Sequence, residues 1–168
     1  MPKKSAKSSS KGTTDAVSML KQDHKKVKGL LNELEDAESD QRKGLLDEIE
    51  SEIKVHMRIE EEIFYPAFKE AVRSEDDKQL FFEALEEHHI TSVVMREIKS
   101  ADPESEQFKA KAKVLKDLIE HHVEEEEGEM LPKAKKAIGA TELRRLGETM
   151  KSLKETMMSS AKTGKKVA

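Results

Sequence analysis

Apolar positions return every three or four residues along most of this 168-residue chain. That spacing places them on one face of a helix. The first such stretch runs from about Asp15 to Ala37, with Val17, Leu20, His24, Val27, Leu31 and Leu34 in its stripe. The second runs from about Asp40 to Ala71, with Ile49, Ile53, His56, Glu60, Ile63 and Ala67. The third, from about Asp76 to Lys99, carries Phe81, Leu85, His88, Ser92 and Met95. The fourth, from about Pro103 to Ala137, carries Leu115, Ile119, His122, Glu126 and Met130. A shorter fifth pattern from Thr141 to Met158 aligns Leu143, Leu146, Met150, Leu153 and Met157. Capping and turn residues separate the stretches: Ser39-Asp40, Ser74 to Asp77, Asp102-Pro103 and Gly139. Short links between long helices make antiparallel neighbours. The expected fold is all-α: an up-down-up-down four-helix bundle over residues 15–137, with an additional C-terminal helix over 138–158 packed on its outside.

Histidine and glutamate stand inside stripes that are otherwise apolar. The second stretch contains His56-Met57-Arg58-Ile59-Glu60-Glu61, and Pro66 ten residues after the histidine. The fourth contains His122-Val123-Glu124-Glu125-Glu126-Glu127, and Pro132 ten after. The two runs align at an offset of 66 residues. Asp23-His24 on the first stretch and Glu87-His88 on the third align at an offset of 64. The pattern is that of one helical hairpin duplicated, each copy bearing His on its first helix and His-x-x-x-Glu on its second.

A single His–Glu pair at i and i+4 is ordinarily a surface ion pair. Here His56 and Glu60 lie between Ile53 and Ile63, on the face the bundle buries. A buried carboxylate without a partner is costly, and a cation offsets that cost. Imidazole with carboxylate and no thiolate suits iron better than calcium or structural zinc. A carboxylate can bridge two metals roughly 3.5–4 Å apart. Two hairpins about an approximate twofold would give each metal two histidines and let them share two glutamates. Neighbouring residues are the alternatives. Glu61 and Glu127 follow the motif glutamates directly. His89 and His121 stand about 100° round their helices from His88 and His122. His89 shares its stripe with Arg96 and should point outward; His121 shares one with Val114 and Leu118, which leaves its direction open. Glu-x-x-His, the ligand pattern of ferritin-like sites, occurs once, at Glu86 and His89, where two copies are needed.

Composition narrows the class further. Charged residues reach 39% and aromatics 4%, with few Gly or Pro, as in long solvent-exposed helices. Cysteine is absent, which excludes disulfides, thiolate metal sites and a thiol nucleophile. No apolar run is long enough to span a membrane, and the N-terminal lysines are not followed by an apolar stretch, so a cytoplasmic location is expected. The ends are basic. Residues 1–14 hold four lysines and residues 159–168 three, with no acid in either; without those seven the net charge passes from -4 to -11. Both ends lack periodicity and read as disordered tails. With few lysines, no interleaved aromatics and an acidic body, nucleic-acid binding through the tails is disfavoured.

Taken together, Asp23-His24, His56-x-x-x-Glu60-Glu61 with Phe64-Tyr65-Pro66, Glu87-His88, and His122-x-x-x-Glu126-Glu127 with Leu131-Pro132 resemble the hemerythrin-like family with the HHE cation-binding motif. The resemblance covers roughly Asp15 to Lys136. It implies two non-haem iron ions with an oxo or hydroxo bridge. His24 and His56 would bind one, His88 and His122 the other, and Glu60 and Glu126 would span them. It implies a small diatomic or peroxide ligand: binding or sensing of oxygen, peroxide, nitric oxide or iron, in stress response or iron handling. The alternative is a peroxide-scavenging (catalase-like) or iron-oxidising enzyme. Two departures are plain. Oxygen-carrying hemerythrins place the fourth helix's carboxylate five residues after its histidine, where this chain offers both Glu126 and Glu127. They also place a fifth histidine four residues after the one on the third helix; Ser92 stands there in this chain.

Overall fold

The computed structural model describes residues 14–164, with side chains placed through residue 160. Of the basic ends expected to be disordered, 1–14 and 159–168, residues 1–13 and 165–168 lie outside that range, while 159–164 continue the last helix. Every regular element among the described residues is helical: α1 (Ala16–Asp36), α2 (Ser39–Ile59), α3 (Tyr65–Ala71), α4 (Glu75–Lys99), α5 (Glu106–Glu125), α6 (Leu131–Ile138) and α7 (Ala140–Gly164). One π-helical turn, Glu60–Phe64, joins α2 to α3, and a second, Glu126–Met130, joins α5 to α6. None of these helices is long and apolar enough to cross a membrane.

Side-chain caps set three of the helix starts. Asp15 accepts from the Ser18 amide, Ser74 from that of Asp77 and Ser105 from that of Phe108, each satisfying an amide the helix itself leaves open. Ser105 also explains why the fourth long helix begins at Glu106 rather than at Pro103. The Glu104 amide is held by Asp102 Oδ1, so this segment turns before the helix starts. The C-terminal helix likewise exceeds expectation: it runs to Gly164, beyond the expected end at Met158.

The four long rods, α1, α2–α3, α4 and α5–α6, pack antiparallel in a ring, α1 against α2 and α5, and α4 against α5 and α2–α3. Helix α7 lies outside, against α1, α2 and α6. Gly139, at φ 84°, makes the link from α6 to α7 in a backbone region that suits glycine. The core has two apolar ends. At one, Val17, Leu20, Phe64, Phe68, Leu131 and Ala134 meet Leu143, Leu146 and Met150 of α7. At the other, Leu31, Leu34, Ile49, Ile98, Phe108 and Leu115 pack together. Between them every long rod contributes buried polar groups: Asp23 and His24, His56 and Glu60, His88 and Thr91, His122 and Glu126. A charged layer thus sits in mid-bundle, roofed and floored by hydrocarbon.

Candidate metal centre

The π turns position the motif glutamates. In each, an amide reaches five residues back: Tyr65 N–H to the Glu60 carbonyl, and Leu131 N–H to that of Glu126. Pro66 and Pro132 follow directly, at the starts of α3 and α6. Proline lacks an amide hydrogen and its ring crowds the carbonyl four residues earlier, so a regular helix cannot run through it unstrained. The wider turn relieves that crowding, and such bulges cluster at functional sites. It also rotates everything beyond it. Nine residues of regular helix would turn Tyr65 about 180° away from His56; one extra residue in the turn swings it back toward the same face. The buried stripe therefore continues through Phe64, Tyr65, Phe68 and Val72. Ile63 and Ala67, expected in the stripe, are half-buried at its edge.

Six side chains meet at the centre. Glu60 touches one histidine of each hairpin, with Oε1 3.1 Å from His56 Nε2 and Oε2 3.3 Å from His88 Nε2. Glu126 does the same, with Oε2 3.2 Å from His24 Nε2 and 3.8 Å from His122 Nε2. The rings pair as His24 with His56 and His88 with His122, both at 4.9 Å between centroids. Ligand atoms of His24, His56, Glu60 and Glu126 lie within 4.8 Å of one another, as do those of Glu60, His88 and His122. All six residues are buried, yet His24 Nε2, His56 Nε2, His122 Nε2, Glu60 Oε1 and Glu126 Oε2 make no hydrogen bond. Buried polar atoms are nearly always bonded. Five that converge on one space without bonding one another are what a bound cation would satisfy, and imidazole nitrogen with carboxylate oxygen fits a pair of transition-metal ions.

An outer ring of carboxylates faces the far nitrogens of the four rings and holds three of them. Glu127 Oε1 is 2.9 Å from His24 Nδ1, and Glu61 Oε1 is 2.8 Å from His88 Nδ1, so each hairpin's second glutamate serves the other hairpin's first histidine. Glu87 Oε2 is 2.7 Å from His122 Nδ1. Asp23 Oδ2 is farther, 3.7 Å from His56 Nδ1. Such partners fix which nitrogen of an imidazole is free to bind a metal.

Without metal, protons balance this layer. Burial opposes a charge on His56, but Glu60 and Asp23 outweigh it and push the imidazole up to about 10. Burial likewise opposes charge on His88, and Glu60 with Glu61 raise it to about 9. Glu60 is held well below the usual carboxylate range: burial would raise it, and His56 and His88 overcome that.

Sequence reasoning missed Tyr65 as part of the centre. Its hydroxyl donates to Glu126 Oε1 at 2.8 Å and lies 3.2 Å from His88 Nε2. Burial, then the nearby Glu126 and Glu60, drive its pKa well above that of free tyrosine, so the phenol keeps its proton. The signal available was the chain's one tyrosine placed just before Pro66, but regular helical geometry points that position away. The aligned position in the second hairpin is Leu131, so the two halves differ here.

The neighbouring histidines are separated cleanly. His89 is exposed on the outer face of α4. His121 is 62% exposed, its Nε2 3.4 Å from Glu125 and 3.5 Å from Glu87, and Val114 of its stripe faces outward as well. A small cavity of about 20 Å³ adjoins the ring pairs, walled by Val27, Ile53, Met57, Ile119 and Val123. One water-sized occupant needs roughly 10–15 Å³, so the space admits one small molecule and little more.

Known proteins resemble this chain. A DNA nickase from Nostoc sp. is 27% identical over 110 residues, 65% of this chain; the chain spans only 30% of that relative's length. The crystal structure of a hemerythrin HHE cation-binding domain-containing protein from Mycobacterium kansasii superposes with a TM-score of 0.79 at 28% identity, covering 91% of this chain and 93% of the other. The family model for the hemerythrin HHE cation-binding domain matches residues 15–134, the four rods that carry the buried histidines and glutamates. This chain therefore belongs to the hemerythrin family and carries its HHE cation-binding domain.

Proposed function

We propose that this domain holds two non-haem iron ions, linked by an oxo or hydroxo group. His24 and His56 serve one, His88 and His122 the other, and Glu60 and Glu126 span the pair. The observation that carries the reading is the set of five buried, unbonded donor atoms aimed at one space, shared across both hairpins. Bound iron would supply one-electron redox chemistry and an open position for a small oxidant or diatomic molecule. The protein's own residues do the rest. Glu61, Glu127 and Glu87 hold three imidazoles in orientation through Nδ1. The apolar ends exclude bulk water, and the cavity beside the rings limits the guest to the size of oxygen, nitric oxide or peroxide. The physiological role that follows is binding or sensing of such a molecule, or handling of iron, under oxidative stress in the cytoplasm.

Tyr65 favours a second reading, turnover of peroxide. Its hydroxyl, donating to Glu126 Oε1, keeps a proton at the edge of the centre, where one is needed when an oxygen–oxygen bond is cleaved. Iron-loaded protein exposed to a large excess of hydrogen peroxide decides between them. Binding or oxidation that stops at one equivalent per centre supports the sensing reading, and sustained oxygen release supports turnover. Indifference of the centre to peroxide, oxygen and nitric oxide alike would contradict both.

A further inference from the structure

The two hairpins repeat the inner ligands faithfully but not the charges behind them. Around the His24/His56 pair, both outer carboxylates are capped by lysine. Lys21 Nζ is 3.2 Å from Glu127 Oε2, and Lys154, reaching in from α7, donates to Asp23. Around the His88/His122 pair neither is. Glu61 has no lysine or arginine within ion-pair reach among the described residues. Glu87 faces His121, which it shares with Glu125, so two carboxylates meet at most one imidazolium. The difference is written in the chain: the repeat aligns Lys21 with Leu85, and α7 occurs once. In distance it shows at one ring of each pair only. Asp23, engaged by Lys154 through Oδ1, leaves its Oδ2 3.7 Å from His56 Nδ1, while Glu87 Oε2 closes to 2.7 Å on His122 Nδ1. The capped Glu127 and the uncapped Glu61 hold their rings alike, at 2.9 and 2.8 Å.

An outer carboxylate makes the imidazole it holds a better donor and adds negative charge near the cation; a lysine on that carboxylate offsets part of both effects. We infer that the two metal positions are inequivalent: the His88/His122 position binds its cation first and about tenfold or more tightly, and Lys21 and Lys154 are the positioning residues that weaken the other. The magnitude is that of outer-partner changes in metal sites generally, about 10–100-fold in affinity. This inference rests on the metal-pair reading above. Helix α7 lies beyond the residues the family model matches, so one of the two lysines, Lys154, comes from a segment outside the HHE domain proper.

Anaerobic titration of the metal-free full chain with cobalt(II), followed by absorbance and calorimetry, tests it. Two ions should bind in two resolved steps. His88→Ala should abolish the tight step and His24→Ala the weak one. The pair Lys21→Met with Lys154→Met should tighten the weak step until the steps merge, while Lys21→Arg with Lys154→Arg, which keeps the charges, should preserve the gap. Circular dichroism of each variant reports on folding separately. Fewer than two cobalt ions on the unaltered chain would overturn the metal pair itself. Two ions with equal constants, or a gap indifferent to the lysine-to-methionine change, would overturn the inequivalence alone.

Discussion

At the scale of single residues, burial and direction separate side chains that adjoin in sequence. His88 and His122 turn Nε2 toward the shared glutamates, whereas His89 and His121 sit on outer faces. Replacing His88 or His122 by alanine should lose at least one metal ion per chain, as counted by elemental analysis. His89→Ala and His121→Ala should keep both; an empty site in His121→Ala beside a full one in His122→Ala would shift the ligand assignment by one residue. Tyr65→Phe removes the donor to Glu126 Oε1 and leaves a buried acceptor unbonded, a loss of about 1–3 kcal/mol. The metal-free variant should therefore unfold at lower denaturant than the parent, while metal content stays at two. An unchanged midpoint would show that Tyr65 is not bonded as described.

At the scale of elements, the sequence made most of the bundle legible and hid its irregularities. Periodicity, caps and the duplicated His-x-x-x-Glu located the rods and put His24, His56, Glu60, His88, His122 and Glu126 on inward faces, where they are found. The π turns were illegible because a constant 100° per residue carries no signal for one extra residue. That is why Ile63 and Ala67 were expected where Phe64, Tyr65 and Phe68 stand. Pro66 and Pro132, ten residues after each motif histidine, are the visible trace. The outer pairing of Glu127 with His24, and of Glu61 with His88, was also out of reach, since it joins residues of different hairpins. Helix α7 docks by close approach: a Cβ on Gly147 would stand 2.8 Å from the Ala16 backbone nitrogen. Backbone at the start of α1 cannot yield as a flexible side chain would, so Gly147→Ala should push α7 away. The melting temperature should drop, by an amount equivalent to about 1–3 kcal/mol. The same substitution at Gly29, where nothing lies within 4 Å, should be neutral or slightly stabilising.

At the scale of the whole molecule, a charged layer between two apolar ends has to be neutralised by protons or by metal. His56 and His88 hold protons in the metal-free fold with values of about 10 and 9, against an ordinary 6.5. A raised folded value stabilises fully below the unfolded value of about 6.5 and loses that contribution as pH climbs through 9 and 10. The metal-free protein should thus melt at progressively lower temperature from pH 7 to pH 10. Cation binding displaces those protons, so apparent metal affinity should rise over the same interval and the loaded protein should lose less stability. A metal-free melting temperature that is flat across this range would contradict the proton-held layer.

Iron content is the most direct measure of the central claim. Metal-free full-length protein is reconstituted anaerobically with excess iron(II), desalted, and assayed for iron and protein together. Six inner ligands, arranged as two histidine pairs sharing Glu60 and Glu126, predict two iron ions per chain, and a melting temperature above that of the metal-free protein because only the folded state assembles the site. A folded protein that takes up no iron, or retains a single zinc ion and refuses iron, would contradict the account.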